Sequence, residues 1–228
     1  MLCIGHRGAC GHEPENTLRS VQRAIEMGVA GIEIDVHFIR GELLVIHDSR
    51  LDRTTNGSGP LRRHTFAQLR ALDAGHGERI PFLREVLDTV DRRIFINIEL
   101  KGRRTALPVL ALIREYIAHR AWTAADFLIS SFHRSELRLL RGSGIPIGIL
   151  YPRSPRLFRA LADALDAWFI NAPLAHVSAP LVSKVNATGR KLLVYTVNDP
   201  VDMLRMKNLG VDGIFTDFPD RFRRLVSK

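Results

Sequence analysis

A (β/α)8 TIM barrel with a short hairpin insertion after its second strand is the fold class that three features of the sequence predict. Short apolar runs rich in Val and Ile recur along the chain, eight in all. Amphipathic stretches long enough for helices separate them, the pattern of parallel β-α units. The length of 228 residues suits a barrel, which runs to ~250 residues as one domain. An open doubly wound sheet, the second choice, usually stops at about five or six strands. A single domain over 1–228 is expected, with an insertion at approximately 40–65.

The first strand reads as Leu2–His6 and its helix as Thr17–Met27. A second strand follows at Gly31–His37. Arg40-Gly41 then gives a turn, and Glu42–His47 (ELLVIH) reads as another strand with no room for a helix between them. That segment must fold back as a hairpin. With the turn centred on 40 and 41, residue 35 lies opposite residue 46, which sets His47 alongside Ile34 and within reach of Glu33 and Asp35. The turn-rich stretch Ser49–Gly59 reads as part of the insertion, not as a boundary.

Beyond it, helix Phe82–Val90 leads into strand Ile94–Leu100, and helix Ala106–His119 into strand Phe127–Phe132. Helix Ser135–Arg141 precedes strand Ile145–Leu150, and helix Pro155–Leu165 precedes strand Ala167–Asn171. Helix Ala179–Thr188, strand Lys191–Val197, helix Pro200–Leu209, strand Gly213–Thr216 and a short helix near Pro219–Leu225 complete the pattern.

Hydrophobic residues at 46% and charged residues at 25% supply a large core and argue against disorder. The net charge of +9 suits an anionic partner. Lysine makes up only five of the 33 basic residues, and the arginines fall in scattered pairs, as on a solvated surface. No aromatic-interleaved basic patch accompanies the charge, so nucleic acid is not an expected partner. Cys3 and Cys10 form no metal-type spacing and no disulfide framework, which points to a reducing compartment. MLCIGHRGAC lacks the features of a signal sequence, and no run approaches the ~20 apolar residues of a membrane span. A cytoplasmic location without stable membrane insertion is expected, and the oligomeric state stays open.

In GIEIDVH, Glu33 and Asp35 are two apart and share one face of a strand, here the barrel interior. Two carboxylates in a core need a bound cation or an arginine pair. IFINIELK repeats the arrangement, turning Glu99 inward near the carboxyl end of its strand, where barrel catalytic residues gather. Three inward carboxylates without thiolates or a histidine set suit one divalent cation, Mg2+ or Ca2+, better than Zn2+ or copper. At the end of the first strand, His6 is placed for proton exchange and Arg7 to pair with a phosphate. With His47 and Lys101 they make a general acid, a general base and a charge clamp. His37 follows Asp35 on the inward face and reads as pocket lining. Cys10 reads as structural, with no sign of a nucleophilic Cys-His pair, and the remaining histidines read as surface.

These residues resemble the glycerophosphodiester phosphodiesterase family over nearly the whole chain. The motifs are His6-Arg7-Gly8, Pro14-Glu15-Asn16-Thr17, Glu33-x-Asp35-Val36, His47-Asp48 followed by Leu51-x-Arg53-Thr54-Thr55-x-Gly57-x-Gly59, Ile98-Glu99-x-Lys101, Ser130-Ser131-Phe132, Thr196-Val197-Asn198, and Gly210-Val211-Asp212-Gly213-Ile214-x-Thr216-Asp217. The resemblance implies that Glu33, Asp35 and Glu99 hold the metal, that His6 and His47 exchange protons, and that Arg7 and Lys101 bind phosphate. It implies hydrolysis of a small glycerophosphodiester to glycerol 3-phosphate and an alcohol. The alternatives are cleavage of lysophospholipids in the manner of a phospholipase D, and a non-catalytic phosphate- or nucleic-acid-binding barrel. Asn16 has two readings, a residue supporting the metal or phosphate site or part of a helix start with Thr17. Two departures stand out. Tyr195 replaces a Trp common in relatives, which bears on the pocket wall, and Phe38-Ile39-Arg40-Gly41 replaces Thr-x-Asp-Gly at the hairpin.

Overall fold

The computed structural model describes residues 1–150 and 158–226. Strands and helices alternate as β1 (Leu2–His6), α1 (Leu18–Glu26), β2 (Gly31–Ile39), β3 (Glu42–Val45), α2 (Phe66–Arg70), α3 (Leu83–Val90), β4 (Phe95–Leu100), α4 (Ala106–His119), β5 (Phe127–Ser131), α5 (Arg134–Arg138), β6 (Ile147–Leu150), α6 (Phe158–Leu165), β7 (Phe169–Pro173), α7 (Ala179–Asn186), β8 (Lys191–Tyr195), α8 (Pro200–Leu209), β9 (Gly213–Thr216) and α9 (Pro219–Val226). Eight strands pair in parallel in the order β1-β9-β8-β7-β6-β5-β4-β2, and β1 also pairs with β2. The sheet is therefore a closed TIM barrel with helices between its strands.

Period-2 alternation explains the two cores. Outward residues such as Ile32, Ile34, Ile96, Ile98 and Val194 join the helices in one large buried cluster. Inward Ile4, Leu128, Leu193 and Phe215 fill the barrel beneath the carboxyl ends of the strands, with Phe95, Phe169 and Tyr195 packed on them. Inward Asp35 and Glu99 stand above this plug, and inward Asn97 and Asn171 pair level with its Leu128 and Leu193.

Local chemistry sets the helix starts. Thr17 caps α1 by accepting the Ser20 N–H, and the Ser20 hydroxyl answers the Thr17 N–H in a capping box. Asp199 caps α8 ahead of Pro200, and Gly210 ends that helix at φ 76. The helix expected at Ser135–Arg141 is shorter because Leu139, Leu140 and Arg141 bond to carbonyls three residues back, a tighter turn that ends the α-helix. Residues 155–157 of the helix expected at Pro155–Leu165 lie outside the described residues.

The hairpin forms in the expected register. Val36 pairs with Val45, and the Ile46 N–H reaches the Asp35 carbonyl at 3.0 Å. The segment after it holds a second small core of Leu44, Ile46, Leu51, Leu61, Leu69, Ala74 and Ile80. The expected insertion at 40–65 lies in this layer, which runs on through α2, a helix the sequence reading lacks. A five-residue helix of one buried leucine shows too little periodicity to be read.

Candidate active site

Three carboxylates converge where β2 and β4 run side by side. Asp35 pairs in register with Glu99, and Glu33 with Asn97, so Asp35 and Glu99 turn inward at one level and Glu33 two residues below them on the same face. One oxygen from each of Glu33, Asp35 and Glu99 lies within 4.8 Å of the others. Glu33 and Asp35 are buried. Burial, with the charges of Asp35 and Glu99 next, pushes the Glu33 carboxyl well above the ordinary carboxylate range. Glu99 is raised for the same reason, burial first and Asp35 second.

Two cations face them. The Arg7 guanidinium stands 3.3 Å from Asp35 through Nε, and its backbone N–H donates to Glu33 at 3.1 Å. Lys101 Nζ donates to Glu99 at 2.8 Å and lies 3.5 Å from Asp35. Burial would lower both cations' pKa, but the carboxylates raise them, so each stays charged. Three acids against two cations leave one negative charge, and Glu33 Oε1 is buried with no hydrogen-bond partner. An all-oxygen donor set with that surplus fits a hard divalent cation.

Each histidine is oriented by an aspartate. His6 Nδ1 donates to Asp217 Oδ1 at 2.7 Å and turns Nε2 toward Glu33, 3.9 Å away. His47 Nδ1 donates to Asp48 Oδ1 at 2.6 Å, and its Nε2 accepts from Lys101 Nζ at 3.1 Å. His47 thus meets the carboxylates through Lys101; the hairpin brings it alongside as its register requires. His6 and His47 border the carboxylates from two sides, one on β1 and the other just beyond β3.

Sharp backbone turns place these groups. Arg7 at φ 51 and Gly8 at φ 82 fold the chain under β1. A Cβ on Gly8 would meet the Ser20 hydroxyl at 2.4 Å, so only glycine fits there. Asn16, at φ 58, donates to Asp35 Oδ2 at 2.9 Å and accepts the Asp35 N–H at 3.1 Å. The capping belongs to Thr17, and the Asn16 side chain holds Asp35. Tyr195 lines a small cavity with His6, Glu33, Glu99, Asn97 and Asn171. Burial, with Glu99 nearby, pushes its phenol up to about 12. His37, buried two residues beyond Asp35 on β2, donates from Nε2 to the His47 carbonyl at 3.1 Å, so it props the loop.

Five further residues, Asp217, Asn198, Asp48, Arg53 and Glu15, complete the site, and the sequence reading gave them no individual role. Asp217 holds His6, and its second oxygen accepts from Asn198 at 2.6 Å. Burial would raise Asp217, but the bonds from His6, Cys10 and Asn198 outweigh it and bring the carboxyl to about 2. Arg53 donates through Nε to Asp48 at 2.7 Å and through both terminal nitrogens to Glu15 at 2.7 and 2.8 Å. Glu15 in turn accepts from Arg7 at 2.8 Å. The Arg53 bond, with that of His47, lowers Asp48 to about 2. The signal was present as strand-end or motif position, but the partners of Asp217, Asn198 and Glu15 come from distant segments. Cys10 donates to Asp217 at 3.0 Å. His12, read as surface without a partner, meets Asp220 at 2.8 Å.

The model of the glycerophosphoryl diester phosphodiesterase family matches residues 6–221. The chain belongs to this family. Membership places it among the phosphoric diester hydrolases. Glycerophosphodiester phosphodiesterase from Caldanaerobacter subterraneus is 36% identical, the match covering 100% of this chain and 98% of that one. The enzyme of the same name from Bacillus altitudinis is 36% identical over 96% of this chain and 95% of its own. The phosphodiesterase of Oleispira antarctica, solved in complex with the product sn-glycerol-3-phosphate, superposes with a TM-score of 0.89 at 29% identity and covers 100% of this chain and 97% of that one.

Proposed function

We propose that this chain hydrolyses glycerophosphodiesters to glycerol 3-phosphate and an alcohol, with one divalent cation on Glu33, Asp35 and Glu99 and with His6 and His47 as the proton-exchanging pair. The observation that carries the reading is two aspartate-oriented histidines flanking three inward carboxylates, two of them buried. The product held by the Oleispira antarctica relative supports the substrate class.

A phosphodiester repels nucleophiles with its negative charge and leaves as a poor alkoxide, so a site must neutralise the first and protonate the second. The cation supplies Lewis-acid charge neutralisation at the phosphate when bound. Arg7 and Lys101 add fixed positive charge at the same end of the barrel. Asp217 and Asp48 each fix a ring so that Nδ1 carries the hydrogen and Nε2 faces the substrate. One ring, neutral at the start, takes a proton at Nε2 from the attacking oxygen, and the other, doubly protonated at the start, gives its Nε2 proton to the leaving oxygen. Tyr195 forms one wall of the cavity beside them. The same barrel is proposed to act as a single domain in the cytoplasm. Two free cysteines support a reducing compartment, and among the described residues no helix is long and apolar enough to cross a membrane.

The test is release of glycerol 3-phosphate from glycerophosphocholine and glycerophosphoethanolamine by the purified protein, alongside His6→Ala and His47→Ala. The expected result is release by the parent and losses of about 10²–10⁴-fold in each variant, with unchanged circular dichroism. Near-parental rates in either variant would remove that histidine from the reaction.

A further inference from the structure

A second constellation of ligand atoms lies beside the first. A ring nitrogen of His6, Cys10 Sγ and a carboxylate oxygen of Asp217 all lie within 4.8 Å of one another. Both His6 and Cys10 converge on the same oxygen, Asp217 Oδ1, at 2.7 and 3.0 Å. Asn198 holds the other oxygen and so fixes the plane of the carboxylate. The cluster is reachable, since the His6 and Asp217 side chains are 20% and 24% exposed.

The donor chemistry of the two clusters differs. Glu33, Asp35 and Glu99 offer only hard oxygen, whereas one imidazole nitrogen, one sulfur and one carboxylate oxygen suit a borderline-soft ion. Tetrahedral zinc holds such ligands at about 2.0–2.3 Å, which sets neighbouring donors roughly 3.5 Å apart. The pairs now at 2.7 and 3.0 Å need to part by less than about 1 Å. A fourth position stays open to water.

We propose that His6, Cys10 and Asp217 form a thiophilic metal site, taking Zn2+ or an ion like it, and that its occupation removes His6 from the reaction. Binding forms Zn–S, Zn–N and Zn–O bonds to Cys10, His6 and Asp217, and the hydrogen bonds from His6 and Cys10 to Asp217 Oδ1 are given up. The Cys10 thiol proton leaves to solvent, and the His6 proton moves from Nδ1 to Nε2. His6 then presents N–H where it had presented a lone pair, and its Nδ1 is held by the metal. A ring in that state neither accepts a proton at Nε2 nor becomes doubly protonated, so proton exchange stops. Cys10 is the switch element, since the other two ligands serve the uninhibited site as well.

Two arms test this. Co2+ added to the Mg2+- or Ca2+-loaded protein should give one equivalent of a thiolate-to-cobalt charge-transfer band, displaced by Zn2+ and absent in both Cys10→Ser and Cys10→Ala. This arm stands whether or not His6 exchanges protons. The inhibition arm rests on the proposed function: with Mg2+ or Ca2+ in excess, Zn2+ should cut the parental rate at least about tenfold, and the rate of either Cys10 variant by less than twofold. No band in the parent overturns the site. Equal inhibition of the Cys10 variants overturns it as well, because the ion would then act at the carboxylates. A band without inhibition overturns the claim on His6. A parent inactive on every glycerophosphodiester counts against the proposed function and leaves the spectral arm to decide the site.

Discussion

Asp217 and His6, 211 residues apart in the chain, stand 2.7 Å apart where the last barrel strand closes on the first. The bond fixes which nitrogen of His6 carries the hydrogen. Asp217→Asn removes the charge and admits the other tautomer, so kcat should fall by about 10²–10³-fold with little change in KM. A pH titration adds a second readout. The Asp217 carboxyl is lowered from 3.8 to about 2, so its stabilisation is complete above ~4 and is lost as pH falls toward about 2. That is worth about 2 kcal/mol at neutral pH, and Asp217→Asn should lose both the stability and this part of the acid dependence. Denaturant titrations at pH 7 and pH 3 measure it.

Arg53 joins the two halves of the site, since one guanidinium holds Asp48 behind His47 and Glu15 behind Arg7. Arg53→Lys keeps the charge but cannot fork to both carboxylates. It should lower kcat/KM by about tenfold or more, and Arg53→Ala should recover part of its loss in the presence of guanidinium ion. Steady-state kinetics with and without guanidinium check this; a Lys variant at the parental rate would show that Arg53 does not position the site.

Cation binding should stabilise the protein more as pH rises. Glu33 and Glu99 have carboxyls raised above their ordinary value of 4.5 by burial and by neighbouring acids. For raised acids the metal-free fold is favoured at low pH and loses stability as pH climbs from ~4.5 through the raised values. A divalent cation prefers the ionised carboxylates and competes with protons. The rise in Tm on adding Mg2+ or Ca2+ should be larger at pH 8 than at pH 5; an equal rise at both would contradict the assignment of these acids as its ligands.

Glu136 is buried and accepts the backbone N–H groups of Arg104, Thr105 and Ala106 at 2.9, 3.0 and 2.9 Å. Thr105 makes no side-chain cap for α4, so the carboxylate from α5 satisfies that helix start and complements its dipole. Glu136→Gln loses the charge and sets an amide against the donors. It should cost about 1–3 kcal/mol, read by urea denaturation, with substrate affinity unchanged.

What the sequence made legible was whatever period and turn chemistry decide. Inward Glu33, Asp35 and Glu99 follow from period-2 alternation, and the Arg40-Gly41 turn carries the register that sets Ile46 against Asp35. What it did not show depends on closure. Asp217 meets His6 only because β9 pairs with β1, and Arg53 meets Glu15 only because the insertion packs over the loop after β1. Lys101 on His47 is of the same kind, a contact between a strand end and a hairpin that no local pattern encodes. Asn16 shows the limit from the other side: a capping sequence was readable, but Thr17 holds the helix while Asn16 turns to Asp35.

The most direct test of the account is glycerol 3-phosphate release measured with chelator, with Mg2+ and with Ca2+, on the parent and on Glu33→Ala. The account predicts release that requires one of the two cations and is abolished by the substitution. Undiminished release in chelator, or a Glu33→Ala variant at the parental rate, would contradict it.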